Sequence, residues 1–183
     1  MFLTFLNIPN FKRMTHKLPL FIFFISTLFS CQPKSDPLFT RLPVENTGIT
    51  FSNRITETNA LNVFNFEYVY NGGGVALGDF NNDNLVDVYF TGNQVENKLY
   101  LNKGNEDGRS IYFEDITKKS KTTGDGKWCS GATIIDINND NLLDIYVCTS
   151  VSKVADRLAN MMYVNQGIGY NETSAIPFVV VWW

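Results

Sequence analysis

The sequence holds one histidine, His16, three cysteines and six prolines, and its lysines and arginines are outnumbered by acidic residues. His16 sits in a leader-like N-terminal stretch. The rest of the chain therefore builds neither a Ser-His-Asp triad nor a histidine-ligated zinc site. The longest apolar run, Leu18 to Phe29, is broken by Pro19, Ser26 and Thr27 and falls short of the ~20 residues that a membrane-spanning helix needs. Basic residues number 15 against 18 acidic ones; setting aside Lys12, Arg13 and Lys17 of the leader leaves 12, a net charge of about −6. Binding to phosphates needs clustered positive charge, so nucleic acid is excluded as a partner and cations are the natural complement. What the chain does have is apolar content, 44% hydrophobic and 14% aromatic, which argues for a folded core over disorder.

Residues 1–31 read as an export signal. Lys12, Arg13 and Lys17 precede the short apolar segment, no acidic residue occurs before Cys31, and a polar Gln-Pro-Lys-Ser-Asp tract follows. Met14 is an alternative start, giving the compact leader MTHKLPLFIFFISTLFSC. Leu28-Phe29-Ser30-Cys31 resembles a bacterial lipobox, which implies acylation of Cys31 and anchoring on a membrane without spanning it. Phe29 stands where that motif prefers a small or β-branched residue, so an ordinary cleavage site and an uncleaved anchor stay open. The expected location is the outer membrane or cell surface, with the periplasm second. Residues 32–38 read as a polar linker, and 39–168 as the folded region. An exported location permits a Cys129–Cys148 disulfide, and two small buried thiols on neighbouring strands fit equally well.

After the linker the pattern is β-rich. Ile49–Phe51, Val63–Tyr70, Val86–Thr91, Lys98–Leu101, Ile111–Phe113 and Leu143–Thr149 are short β-branched and aromatic runs bounded by Gly, Asn or Asp. Val154–Met162 alone looks mildly helical. Many short strands suggest a sandwich, barrel or propeller. An internal repeat narrows this: GVALGDFNNDNLVDVYF from Gly74 aligns without gaps with GATIIDINNDNLLDIYV from Gly131, a spacing of 57 residues. Downstream, NKLYLNKG from Asn97 matches NMMYVNQG from Asn160 after a longer connection. Loop and following strand recur together, so the repeating unit is a multi-stranded module of a size that fits a four-stranded blade with loop insertions.

Each copy carries D-x-N-x-D-x-x-x-D: Asp79, Asn81, Asp83 and Asp87, then Asp136, Asn138, Asp140 and Asp144. Ca²⁺ takes about 6–8 oxygens, and alternate side chains of a tightly wound loop can converge on one point. Positions one, three and five would supply side-chain oxygens, position seven a backbone carbonyl (Leu85, Leu142), and position nine would close the shell. All-oxygen ligation disfavours zinc and copper. An EF-hand needs Gly at position six and Glu at twelve; here those places hold Asn84 or Asn141 and Phe90 or Val147, and the flanks read as strands. A metal-free reading also exists, since Asn and Asp cap turns through their own backbone.

These repeats resemble FG-GAP (VCBS-type) repeats, the units of integrin-α-like β-propellers, which include UnbV-like extracellular proteins. The likeness is carried by Gly74–Phe80, the Asp-rich loop, the Asp-Val-Tyr-Phe strand, Asn-Lys-Leu-Tyr-Leu-Asn, and Phe113-Glu-Asp-Ile-Thr. It implies an all-β fold, a partial β-propeller of about two blades, with one calcium in each loop. It also implies a non-enzymatic scaffold whose ligand is an extracellular protein or glycan, within a longer propeller protein. The alternative is a hydrolase or lyase component of polysaccharide processing, for which Glu45, Glu57 and Glu67, outside the loops, are the candidate acid/base carboxylates. Residues 169–183, GYNETSAIPFVVVWW, abandon the pattern and read as an atypical, truncated or frame-shifted tail.

Overall fold

The computed structural model describes residues 37–105, 111–150, 158–167 and 178–182. The chain divides into two units, Met1–Arg41 and Leu42–Trp183; the regular elements among the described residues lie in the second. The export signal, Met14 and Cys31 lie outside the described residues. Among the described residues no helix is long and apolar enough to cross a membrane.

Short helix α1 (Val44–Thr47) starts after Pro43, whose carbonyl accepts the Asn46 and Thr47 N–H groups, and stops at Gly48 with φ 73°. Strands β1 (Val75–Gly78), β2 (Asp87–Phe90), β3 (Lys98–Asn102) and β4 (Phe113–Asp115) follow, then helix α2 (Thr117–Ser120). Strands β5 (Trp128–Ile135), β6 (Asp144–Ser150), β7 (Met161–Asn165) and β8 (Phe178–Trp182) complete the order. They form two four-stranded antiparallel sheets, each a meander with neighbours in chain order. This is a partial β-propeller of two blades, as the repeat predicts.

The blades pack on each other through opposite sides of the same design. Alternation along a strand sends successive side chains to opposite faces. In blade one the register Ala76↔Tyr89↔Leu99 puts those residues on the buried face with Leu101 and Ile116. In blade two Ala132↔Val147 and Ile134↔Ile145↔Tyr163 carry the buried face, with Met161 and Phe178. At the repeat spacing Ala132 and Ile134 correspond to Val75 and Leu77, which lie on the far side of blade one. The core therefore joins one face of the first copy to the other face of the second. Tyr89 meets Tyr163 edge-on at 6.3 Å, and Phe80 meets Phe178 at 6.2 Å.

Several strand expectations change. Val63–Tyr70 forms turns, because Asn62 and Asn65 compete for the backbone: Asn62 Oδ1 accepts the Phe64 N–H at 3.0 Å, and Asn65 Oδ1 accepts the Asn62 N–H at 2.9 Å. Ile49–Phe51 joins no sheet and straps the outer side of blade one. There Thr50 N–H donates to the Tyr100 hydroxyl at 3.3 Å, and Phe51 stacks on Phe90 at 4.9 Å. The run at Ile111–Phe113 pairs later, as Phe113–Asp115. Of the helical reading at Val154–Met162, residues 154–157 lie outside the described residues, and Met161 and Met162 belong to β7. The stretch set apart as a tail contributes β8, the fourth strand of blade two, because its Val and Trp run finds an open β7 edge to pair with.

Two glycines test the face-to-face packing. A Cβ on Gly74 would come within 2.7 Å of Gly131 Cα, whereas one on Gly131 meets only Cys148 Cβ at 3.9 Å. Gly74→Ala is expected to force the blades apart at a cost of about 1–3 kcal/mol, and Gly131→Ala to cost less than about 0.5 kcal/mol, both read by urea denaturation.

Candidate metal-binding loops

Each Asp-rich loop turns β1 into β2, or β5 into β6, through two left-handed residues, Asn82 and Asn84 (φ 58° and 67°) and then Asn139 and Asn141 (φ 61° and 65°). Asparagine tolerates that region better than other residues with a side chain. This is why Asn at position six replaces the glycine of an EF-hand loop.

The loop interior is a net of side-chain-to-backbone bonds. In the first loop Asp79 Oδ1 accepts the Asp83 N–H at 3.1 Å, and its Oδ2 accepts the Asn84 N–H at 2.7 Å. Asn81 Oδ1 accepts the Asp83 N–H at 3.2 Å, while Asn81 Nδ2 donates to Asp83 Oδ2 at 2.8 Å. Asp83 Oδ1 accepts the Leu85 N–H at 2.8 Å. The second loop repeats each bond with Asp136, Asn138, Asp140, Asn141 and Leu142, at 3.1, 2.9, 3.2, 2.8 and 2.9 Å. The loops also touch: Asn82 Nδ2 donates to the Asn141 carbonyl at 3.3 Å.

Asp87 and Asp144 occupy a different place from the first three polar residues of each loop. Both are fully buried at the head of a strand. Asp87 Oδ2 accepts the Phe80 N–H at 2.9 Å, and its Oδ1 accepts the Asn102 N–H at 2.8 Å. Asp144 does the same with Ile137 at 2.9 Å and Asn165 at 2.8 Å. Each carboxylate thus clamps the start of its loop to the end of the third strand of its blade. Burial lifts the Asp87 carboxyl to about 6; the Asn102 and Phe80 N–H groups oppose this, and the neighbouring Asp83 and Asp79 carboxylates push it up further. The negative charges of one loop therefore feel each other.

The structure brings Asp79, Asn81 and Asp83 into one hydrogen-bonded cluster, and likewise Asp136, Asn138 and Asp140. Leu85 and Leu142 follow directly, bonded through their N–H groups. Among the described residues no three His, Cys, Asp or Glu side chains are grouped as a metal cage. The donor set is mixed, two carboxylates and an amide per cluster, and each carboxylate oxygen retains lone-pair capacity beyond its backbone bond. Hard all-oxygen donors of this kind fit calcium and not a thiophilic metal.

Sequence reasoning missed the two asparagines that hold the clamp. Asn102 Nδ2 donates to the Val86 carbonyl at 3.1 Å and Asn165 Nδ2 to the Leu143 carbonyl at 3.2 Å. Asn165 Nδ2 also donates across the blade interface to the Phe80 carbonyl at 2.9 Å. The signal was present, since both asparagines recur in the NKLYLNKG and NMMYVNQG copies. Of the acidic residues outside the loops, Glu45 lies on α1, and Glu57 Oε1 accepts the Val63 N–H at 3.3 Å. Cys129 and Cys148 are both free, Cys129 buried in the core and Cys148 exposed. Burial pushes the Cys129 thiol up to about 11, against an Asn97 hydrogen bond and the Lys127 charge.

The family model for the FG-GAP-like repeat matches residues 79–147, from the first residue of loop one to the middle of β6. Residues 79–147 carry the FG-GAP-like repeat. No curated protein matches it significantly. The matched FG-GAP-like stretch includes both Asp-rich loops and strands β2 to β5.

Asp87→Ala would strand two N–H groups beside a buried site, at about 1–3 kcal/mol each. Asp83→Ala, in solvent, is expected to cost less. Urea unfolding in chelator should rank the two in that order. Alkylation in dilute solution should label Cys148 at once and Cys129 only on unfolding, because the thiolate is the reactive form.

Proposed function

We propose that the chain is a calcium-stabilised binding scaffold that works outside the cytoplasm, held on a membrane by a lipid at Cys31. A propeller-type scaffold is the part of this reading that the fold and the repeat family supply. Calcium would be held in the first loop by Asp79, Asn81, Asp83, the Leu85 carbonyl and Asp87. In the second loop Asp136, Asn138, Asp140, the Leu142 carbonyl and Asp144 would hold it. When bound, the ion neutralises carboxylates that otherwise repel one another.

The observation that carries the proposal is the bond-for-bond identity of the two loops. A turn needs one or two capping residues; here every oxygen-bearing residue recurs in the same conformation. The cluster oxygens also lie on the solvent side, where an ion can enter. A stiffened loop would hold the blade surface in fixed shape, which lowers the ordering cost of binding. The ligand in this reading is a protein or glycan, and the location is the outer membrane or cell surface, with the periplasm second. The net negative charge supports neither a nucleic-acid role nor a basic membrane-binding surface.

Calcium at ~100 times its dissociation constant would add about 2.7 kcal/mol to stability. That is a rise of several degrees in Tm for a domain of this size. The expected result is such a rise with Ca²⁺, its reversal by chelator, and its loss in the Asp83→Ala, Asp140→Ala double variant. A melting curve indifferent to calcium and chelator would remove the metal from this reading. Radiolabelled palmitate incorporated by the wild-type chain in a bacterial host, and absent from Cys31→Ser, would test the anchor.

A further inference from the structure

The blade junction is made by two dissimilar faces, and each blade carries a copy of both. Across the junction the closest approach is between β1 and β5. Ile134 Cδ1 and Leu143 Cδ1 each lie 2.9 Å from where a Gly78 Cβ would stand, and Ala132 N lies 2.8 Å from the Gly74 Cβ position. At the 57-residue spacing the blade-one counterparts of Ala132, Ile134 and Leu143 are Val75, Leu77 and Val86. Those three side chains are 54%, 62% and 53% exposed. Their neighbours Phe90 and Tyr100 are covered by the Phe51 strap, so what remains bare on blade one is the set whose counterparts make the internal junction.

The far side of blade two is the matching half. Ile137, counterpart of the buried Phe80, is 49% exposed, and Ile135, counterpart of Gly78, is 43% exposed. Tyr146 accepts the Asn160 Nδ2 hydrogen bond at 2.7 Å, as Tyr89 accepts that of Asn97 at 2.7 Å within the junction. A polar link is also ready. Asn165 Nδ2 bridges the Leu143 and Phe80 carbonyls; Asn102 Nδ2 already holds the Val86 carbonyl, and its second proton corresponds to the one that would reach the Ile137 carbonyl.

We propose that the chain associates with a second copy of itself head to tail, the Val75, Leu77 and Val86 face of one copy seating on the Ile135 and Ile137 face of the next. The interface is heterologous, which gives a ring if the rotation closes and an open assembly if it does not. It repeats the β1–β5 part of the internal junction with two differences: the strap keeps Phe90 and Tyr100, counterparts of Val147 and Tyr163, covered, and Ile135 replaces Gly78, so the incoming β1 sits further out at that end. Cys148, paired opposite Gly131 and exposed on the same far face as Tyr146, reports on its coverage.

The test is sedimentation velocity of the full chain in density-matched mild detergent, alongside Cys148 alkylation rates across a concentration series. Leu77→Lys and Ile135→Lys each block one face, and both side chains are exposed, so neither change unfolds the chain. The expected result is concentration-dependent association of the wild type, with Cys148 alkylation slowed about tenfold at high concentration. Each variant alone should be monomeric. An equimolar mixture of the two should stop at a dimer, since it retains one intact face of each kind. A wild type monomeric throughout the series overturns the proposal. So does an assembly abolished by Ile135→Lys but untouched by Leu77→Lys, which would mean like face on like face, or a mixture that stays monomeric.

Discussion

Both faces of every blade are apolar, and this constraint governs the molecule. A sheet with one greasy side is satisfied by a single partner layer, but these sheets need two. The junction satisfies one side of each: Ala76, Tyr89, Leu99 and Leu101 of blade one close on Ala132, Ile134, Ile145 and Val147 of blade two. A strap through Phe51 covers part of the outer side of blade one. Bare apolar residues remain on β1 (Val75 and Leu77), β5 (Ile135) and β8 (Val179 and Val181).

The Asp-rich loops serve the same architecture at its rim. Asp87 and Asp144 do structural work that spacing alone does not reveal, tying loop entry to the third strand through two backbone N–H groups each. The remaining oxygens of each loop face outward. One carboxylate of each loop is buried and holds the blade together, keeping spare lone pairs toward any ion that the cluster before it binds. Asn82 reaching Asn141 joins the two loops, so ordering one loop would bear on the other.

The repeat was readable in the sequence because loop chemistry is local. Two left-handed asparagines, an Asp that accepts N–H groups four and five residues on, and a strand that follows are all set by neighbours along the chain. The failures were also local in origin. Val63–Tyr70 has strand composition, yet Asn62 and Asn65 offer the backbone nearer partners. Residues 178–182 broke the repeat pattern in sequence and still supplied β8, because strand pairing asks for an open edge more than for a motif.

The sequence by itself determined the all-β class, the two-copy repeat and the loop residues, since each follows from short-range hydrogen bonding and alternation. Only the tertiary structure decided which face of each blade is buried. Alternation marks two sides of a strand without saying which one a distant sheet will cover. That choice placed Tyr89 against Tyr163, made Asn165 a bridge to Phe80, separated buried Cys129 from exposed Cys148, and left Leu77 and Ile135 at the surface.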